Sequence, residues 1–163
     1  MKIAIISDIH DNQTNLQKCL DWCNNNLIEQ IICCGDLTNS ETLKLLAKKF
    51  KGEIRLVKGN VNLYGEEEVE KYKNIHYYGR VGRVKITDKW IGICHEPYLT
   101  DYALKKGNCD IIFYGHTHEP WEENKGGVKL VNPGTLGGVF SKATFAVWDT
   151  LSSKLELKIL ETL

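Results

Sequence analysis

The chain of 163 residues has no excess charge of either sign and no long hydrophobic run. Lysine and arginine together number 21, as do aspartate and glutamate, so the formal net charge is zero. This balance argues against a general nucleic-acid binder, which normally carries a basic excess. No apolar run approaches the roughly 20 residues that a membrane-spanning helix needs. The length and composition are typical of one globular domain, and we expect residues 1–163 to form it.

A secretion signal and a cysteine framework are also missing. The apolar run Ile3–Ile6 stops at Ser7, so it is too short for the core of a signal peptide and predicts a first β-strand. We therefore expect a cytoplasmic protein. The six cysteines contain no Cys-x-x-Cys pair, which argues against a structural zinc site or a disulfide framework. We predict that they are reduced, small and buried.

Apolar runs alternate with amphipathic segments in the first half of the chain, which predicts βαβ units and a parallel sheet. The expected strands cover 2–7, 30–34 and 53–57, and the expected helices cover 12–25, 40–49 and 66–73. In the second half we expect strands at 76–79, 83–86, 89–94 and 110–114, and a helix at 98–106. Three late strands, at 128–131, 144–148 and 154–160, have no helices between them and predict an antiparallel part of a sheet. The chain is therefore expected to be a mixed α/β domain.

Five of the apolar runs are followed by residues of the types that commonly bind metal ions. These include four of the five histidines, and the full set is Asp8, His10, Asp36, Asn60, His95, His116 and His118. Ligands of α/β proteins bind beyond the carboxyl ends of the strands, so we expect these side chains to meet. Imidazole and oxygen donors without thiolate suit Mn, Fe, Co, Ni or Zn. Seven ligands exceed what one tetrahedral ion needs and suit two ions about 3.5–4 Å apart.

The same residues carry a resemblance to a known family. Asp8-Ile9-His10, Gly35-Asp36, Gly59-Asn60, His95 and Gly115-His116-Thr117-His118 resemble, in this order, the five motifs of the calcineurin-like metallophosphoesterase superfamily. The chain length and the segment Asn132-Pro133-Gly134-Thr135 resemble its small single-domain phosphodiesterases. The resemblance implies an α/β fold that is a four-layer αββα sandwich, with two mixed β-sheets flanked by helices.

The resemblance also implies a role for each candidate ligand. Asp8, His10 and His118 would hold one divalent ion, Asn60, His95 and His116 would hold a second, and Asp36 would bridge the two. Asp36, Asn60 and His95 are the residues expected to carry catalysis. The implied activity is hydrolysis of P–O bonds, most of all in phosphodiesters, by a hydroxide between the two ions.

The implied cofactors and partners follow from this activity. The cofactors are two divalent ions, with Mn²⁺ favoured and Ni²⁺, Fe²⁺, Co²⁺ and Zn²⁺ also compatible. The expected partner is a small phosphoester or a nucleotide substrate. We expect no association with a membrane and no sequence-specific binding of nucleic acid. The sequence leaves open whether the chain forms a homo-oligomer.

The sequence departs from the family pattern beside two ligands. Val61 follows Asn60, where one branch has a histidine that is thought to protonate the leaving group, and valine carries no proton for this step. We therefore expect better turnover of esters with acidic leaving groups. Glu96 follows His95, where glycine is common. The three arginines lie outside the motifs, which disfavours tight binding of dianionic monoesters.

Two other functions stay open at this stage. The phosphoesterase-like subunit of the retromer coat resembles this family but works through protein contacts, so the chain could be a catalytically weak or inactive interaction scaffold. A scaffold would tolerate the loss of ligands, yet all seven positions hold competent side chains. A lactamase-type dinuclear hydrolase is disfavoured, because its His-x-His-x-Asp-His run is missing: His116-Thr117-His118 is followed by Glu119-Pro120.

Overall fold

The eleven strands form two mixed sheets. The computed structural model describes residues 1–163, with strands β1 (Lys2–Ile6), β2 (Gln30–Cys33), β3 (Glu53–Leu56), β4 (Ile75–Tyr77), β5 (Val81–Ile86), β6 (Lys89–Cys94), β7 (Ile111–Phe113), β8 (Pro120–Lys125), β9 (Val128–Pro133), β10 (Thr144–Asp149) and β11 (Leu155–Ile159). The α-helices are α1 (Gln13–Asn25), α2 (Ser40–Lys49), α3 (Glu66–Val69) and α4 (Thr100–Lys105), with short 3₁₀ turns at Pro97–Leu99 and Leu160–Thr162.

The first sheet has six strands in the order β11-β10-β1-β2-β3-β4. Strands β1 to β4 run parallel, as the alternation of strands and helices predicts, and β10 pairs antiparallel with β1. The second sheet has five strands in the order β5-β6-β7-β9-β8. In it, β6, β7 and β9 run parallel, and β5 and β8 are antiparallel edge strands.

The alternation of side chains along each strand builds the layers. Ile3 and Ile5 point into a core between the two sheets, where they join Ile91 and Phe113 of the second sheet. Residues of opposite parity, such as Ile6, pack beneath α1 and α2 in a separate and larger cluster. A third cluster lies between the second sheet and α4. The predicted fold of two mixed sheets flanked by helices is thereby confirmed.

The late strands differ from the prediction. Strands β10 and β11 form the expected antiparallel pair, but β9 belongs to the other sheet and runs parallel to β7. The segment after β9 crosses between the sheets, since the Leu136 amide donates to the Ser7 carbonyl at 2.9 Å. The expectation of one antiparallel region was therefore wrong for β9, because its partner is chosen by contacts remote in sequence.

Two further elements depart from the sequence-based expectation. Strand β8 was not predicted, since all its side chains are exposed and it has no apolar alternation. It forms because it completes the edge beside β9, where its initial Pro120 is tolerated. Helix α3 ends at Val69, its only buried residue, rather than at residue 73.

The cysteines are free and buried, as predicted. A helix suited to crossing a membrane by length and apolarity is not found among these elements.

Candidate metal centre

The seven candidate ligands meet at one edge of the molecule. Asp8, Asp36 and Asn60 follow the carboxyl ends of β1, β2 and β3 in the first sheet. His95 follows β6, and His116 and His118 follow β7, so both sheets direct their strand ends to the same place. The structure brings all seven side chains together, and their role as ligands stays a prediction.

One group of side chains surrounds the buried carboxylate of Asp8. Its Oδ1 lies 3.2 Å from Nε2 of His118 and 3.7 Å from Nε2 of His10. The two imidazole Nε2 atoms are 3.0 Å apart. These three residues are the predicted ligands of the first ion, and their donor atoms lie close enough together to hold one.

A second group surrounds His95. Its Nε2 lies 2.8 Å from Oδ1 of Asn60 and 3.2 Å from Oδ2 of Asp36. Nδ1 of His116 is 3.0 Å from the same Asn60 oxygen. Asp36 also faces the first group, since its Oδ2 is 3.9 Å from Nε2 of His10. This intermediate position is the one expected of a shared ligand.

Backbone carbonyls orient two of the imidazoles. Nδ1 of His95 lies 2.7 Å from the Cys34 carbonyl oxygen, and Nδ1 of His118 lies 3.3 Å from that of Val139. A carbonyl oxygen can only accept a hydrogen bond, so Nδ1 is the donor in both rings. The arrangement turns Nε2 of each ring toward the carboxylates, as metal-binding histidines commonly require.

The two buried carboxylates accept hydrogen bonds from backbone amides, and one of their oxygens has no hydrogen-bond partner. The His116 amide donates to Oδ2 of Asp8 at 2.9 Å, and the Val61 amide donates to Oδ1 of Asp36 at 2.9 Å. Oδ1 of Asp8 is buried and has no hydrogen-bond partner. A buried carboxylate oxygen without a partner is costly, and a cation would compensate this cost.

The loops adopt backbone conformations that L-residues rarely use. Asp8, Asp36 and His118 have φ angles of 54°, 52° and 62°. Left-handed conformations of non-glycine residues cost free energy and persist where the surroundings impose them. Gly35 is also left-handed, and a Cβ there would lie 2.9 Å from Nδ1 of His95. Strain is thus concentrated at the strand ends that carry the candidate ligands.

The charges of the cluster change the protonation of its members when no metal is bound. The pKa of His10 is raised, first by the neighbouring carboxylate of Asp8 and also by that of Asp36. Burial alone would lower the pKa of His95, but the hydrogen bond to Asp36 and the two carboxylate charges outweigh it and raise the pKa. Burial likewise opposes ionisation of Asp36, yet His95 and the Val61 amide together lower its pKa.

Two asparagines near the centre form hydrogen bonds that hold the adjoining loops and helix in place. Asn132 donates to the Gly115 carbonyl at 2.8 Å and to Oγ1 of Thr117 at 3.0 Å, so it shapes the loop that carries His116 and His118. Asn12 accepts from the Asn15 amide at 3.1 Å and caps α1.

Sequence reasoning missed one residue beside the centre. Arg80 lies in the same cleft as Asn60, although it is outside every motif. It pairs with Glu96, whose departure from the common glycine is the only signal in the sequence that marks this place.

Comparisons with known proteins agree with this geometry. The family profile described as "Calcineurin-like phosphoesterase superfamily domain" matches residues 1–153. The phosphodiesterase MJ0936 of Methanocaldococcus jannaschii is 28% identical, with 99% of this chain and 100% of the relative covered. A solved structure of an archaeal phosphodiesterase superposes with a TM-score of 0.86 at 27% identity, covering 98% of this chain and 99% of the other.

A more distant neighbour shares the fold alone. Wild-type Vps29 of Entamoeba histolytica, solved in complex with Zn²⁺, has a TM-score of 0.69 at 20% identity, covering 98% of this chain and 99% of the other. The family profile spans nearly the whole chain, which therefore belongs to the calcineurin-like phosphoesterase superfamily.

Proposed function

We propose that this chain is a metal-dependent phosphodiesterase with two divalent ions. Asp8, His10 and His118 hold one ion, Asn60, His95 and His116 hold the other, and Asp36 contacts both. The observation that carries the proposal is the meeting of seven oxygen and imidazole donors from five strand ends around two buried carboxylates. We also propose that residues 1–163 act as one domain.

The donor set fits such a pair of ions. Ligands bound to one ion at about 2.1 Å lie roughly 3.0–3.4 Å from each other. The separation of 3.0 Å between Nε2 of His10 and Nε2 of His118 falls in this range, and so does the 3.2 Å from His118 to Oδ1 of Asp8. The unpartnered Oδ1 of Asp8 supports the same conclusion. A donor set without thiolate is compatible with Mn²⁺, which we favour, and with Ni²⁺, Fe²⁺, Co²⁺ and Zn²⁺.

When bound, the two ions lower the pKa of water toward neutrality and offset the charge that develops on the phosphoryl oxygens. The chain positions the donors for this chemistry. The Cys34 carbonyl fixes the ring of His95, and the Val61 amide fixes Asp36. Asn60 contributes a neutral oxygen, so the site keeps more positive charge for a phosphate than an aspartate would leave.

The leaving group receives no proton from residue 61. Val61 is partly exposed beside Asn60, and its side chain has no titratable group. We therefore propose that diesters with acidic leaving groups are the better substrates. The physiological substrate class is a small phosphoester or nucleotide. The scaffold alternative is not favoured, because two relatives at 28% and 27% identity bear phosphodiesterase names and the complete donor set is present.

The test is a metal-by-substrate screen with bis(p-nitrophenyl) phosphate. Wild-type protein should hydrolyse this diester with Mn²⁺ or another of the compatible ions. Asp36→Asn should lower kcat/KM by about 100-fold or more, since several kcal/mol of electrostatic stabilisation are lost. Asp21→Asn, an exposed aspartate in α1, is the matched control and should keep the wild-type rate. Equal rates for wild type and Asp36→Asn would refute the shared role of Asp36.

A further inference from the structure

A polar cleft with a volume of about 460 Å³ lies beside the candidate metal centre. It shares Asn60 with the centre and falls in the size range of small-molecule sites, about 300–1,000 Å³. The Lys58 amide donates to the Gly79 carbonyl at 2.7 Å, so the segments after β3 and β4 are held side by side as its floor. The charged or aromatic side chains that line it are Lys58, Glu66, Tyr77, Arg80 and Glu96.

Glu96 is the most unusual of these residues. Its side chain is only 10% exposed, and its Oε1 accepts a hydrogen bond from Nη2 of Arg80 at 2.9 Å. Its second oxygen, Oε2, is buried and has no hydrogen-bond partner. Burying half of a carboxylate without a donor is unfavourable unless a ligand supplies one.

Arg80 complements this acceptor with donors. Its side chain is 59% exposed, and Nη2 serves both Glu96 and the Tyr98 hydroxyl, the latter at 2.7 Å. Its Nε and Nη1 groups are then open to a ligand, because a guanidinium carries five N–H donors.

The cleft as a whole carries no net charge. Lys58 and Arg80 contribute two positive charges, and Glu66 and Glu96 contribute two negative ones. A second phosphate would gain no net attraction there. A neutral group rich in hydroxyls could donate to the Glu96 carboxylate and accept from Arg80 at the same time.

We propose that this cleft is a subsite for a sugar substituent of the phosphoester. The Glu96 carboxylate accepts from a sugar hydroxyl, and Arg80 and Lys58 donate to the sugar oxygens. The inference rests on the proposed function, because it places the phosphate of the substrate at the centre beside Asn60. It makes Glu96 and Arg80 specificity-determining residues for that reaction.

The experiment compares two ligands that carry the same phosphate. Isothermal titration calorimetry with the Mn²⁺-loaded full chain measures Kd for ribose 5-phosphate and for methyl phosphate. Wild-type protein should bind ribose 5-phosphate about tenfold or more tightly, which corresponds to one hydrogen bond with a charged group. Glu96→Gln and Arg80→Gln should each reduce this ratio to about threefold or less. Glu122→Gln, an exposed glutamate paired with Lys129, is the matched control and should keep the wild-type ratio.

Two results would overturn the subsite: equal affinity of wild-type protein for the two esters, or a ratio that survives both substitutions. Circular dichroism melts report whether the variants fold, and the wild-type comparison decides the question if they do not. Because binding is measured without turnover, this result is separate from the diester screen. Preferential binding of ribose 5-phosphate by a chain that hydrolyses no diester would support the subsite and refute the phosphodiesterase activity.

Discussion

Gly59 illustrates how closely the backbone passes the carboxylate of Asp36. A Cβ atom at position 59 would lie 2.5 Å from the Asp36 amide nitrogen and 2.7 Å from its Cγ, which is closer than van der Waals contact permits. The atoms in the way are backbone and a carboxylate held by the Val61 amide, so neither can move without disturbing the centre. The lack of space for a Cβ atom thus explains why the Gly59-Asn60 motif has a glycine at position 59.

Gly59→Ala should therefore lower both Mn²⁺ affinity and diester hydrolysis by about 100-fold, comparable to the loss of a supporting contact in a metal site. Calorimetry and steady-state kinetics measure the two effects. Gly126→Ala is the control: its φ is 59° but a Cβ there meets open space, so we expect a loss of about 1 kcal/mol in stability and normal activity. Wild-type metal affinity in Gly59→Ala would contradict the steric argument.

Val61 offers a second test at the same scale. Val61→His should place a proton donor beside Asn60 and raise kcat/KM for methyl phenyl phosphate, by about tenfold or more. Methyl p-nitrophenyl phosphate should gain little, because p-nitrophenolate leaves without protonation. Val61→Gln introduces a polar side chain without a titratable proton and should accelerate neither. If Val61→His accelerated both esters equally, a role in protonating the leaving group would be excluded.

At the scale of elements, α1 fixes the loop that carries His10. Asn12 caps the helix, and its side-chain amide donates to the Gly137 carbonyl at 2.9 Å, joining this loop to the segment between β9 and β10. In the same loop, Asp11 accepts from the Asn39 amide at 3.0 Å and from Oγ1 of Thr42 at 2.8 Å. The starts of α1 and α2 are thus connected next to the centre.

Asn12→Ala should lower the free energy of unfolding by about 1–2 kcal/mol, since it removes a helix cap and a tertiary hydrogen bond. Urea denaturation monitored by circular dichroism measures the change. Gln17→Ala, on the exposed face of the same helix, should cost no more than about 0.5 kcal/mol. Equal effects of the two substitutions would mean that the cap does not stabilise the loop.

At the scale of the whole molecule, we expect the fold to persist without a metal. Three apolar clusters fill the spaces between the layers, and a chain of this size buries enough surface to fold on its own. Removal of the ions with a chelator should therefore abolish hydrolysis while the circular dichroism spectrum persists. Unfolding on chelation would show that the ions are structural.

The metal-free chain should lose stability as the pH rises above 6.5. The pKa values of His10 and His95 are raised above the ordinary value of 6.5 in the folded state. Their stabilising contribution is therefore complete below 6.5 and is lost as the pH rises through the folded values. The pKa of Asp36 is lowered in the folded state, so its stabilising contribution is complete above 3.8 and is lost as the pH falls through the folded value.

Urea denaturation with a chelator at pH 6 and pH 8 measures this trend. Adding Mn²⁺ should reverse it, because ions bind deprotonated imidazoles and affinity rises with pH. His95→Gln should flatten the metal-free dependence. Metal-free stability that is the same at both pH values would disprove the linkage.

The sequence by itself determined the local elements and the chemistry at their ends. Periodic apolar patterns located β6 and α2 at their observed bounds, because side chains alternate or recur with the geometry of the strand or helix that carries them. The seven donors were recognisable because each follows a strand, and strand ends of α/β sheets gather at one edge. Strand β8 escaped recognition because an exposed edge strand has no such pattern.

Only the tertiary structure decided how these pieces are joined. The division of β9 and β10 between two sheets, the orientation of His95 by the Cys34 carbonyl, and the meeting of Arg80 with Glu96 depend on contacts between segments far apart in the chain. Periodicity records the environment of each residue relative to its neighbours in sequence. It carries no information about which distant backbone or side chain supplies that environment. The polar cleft beside Asn60, for example, is lined by the separate segments 58–66 and 77–80 and by Glu96.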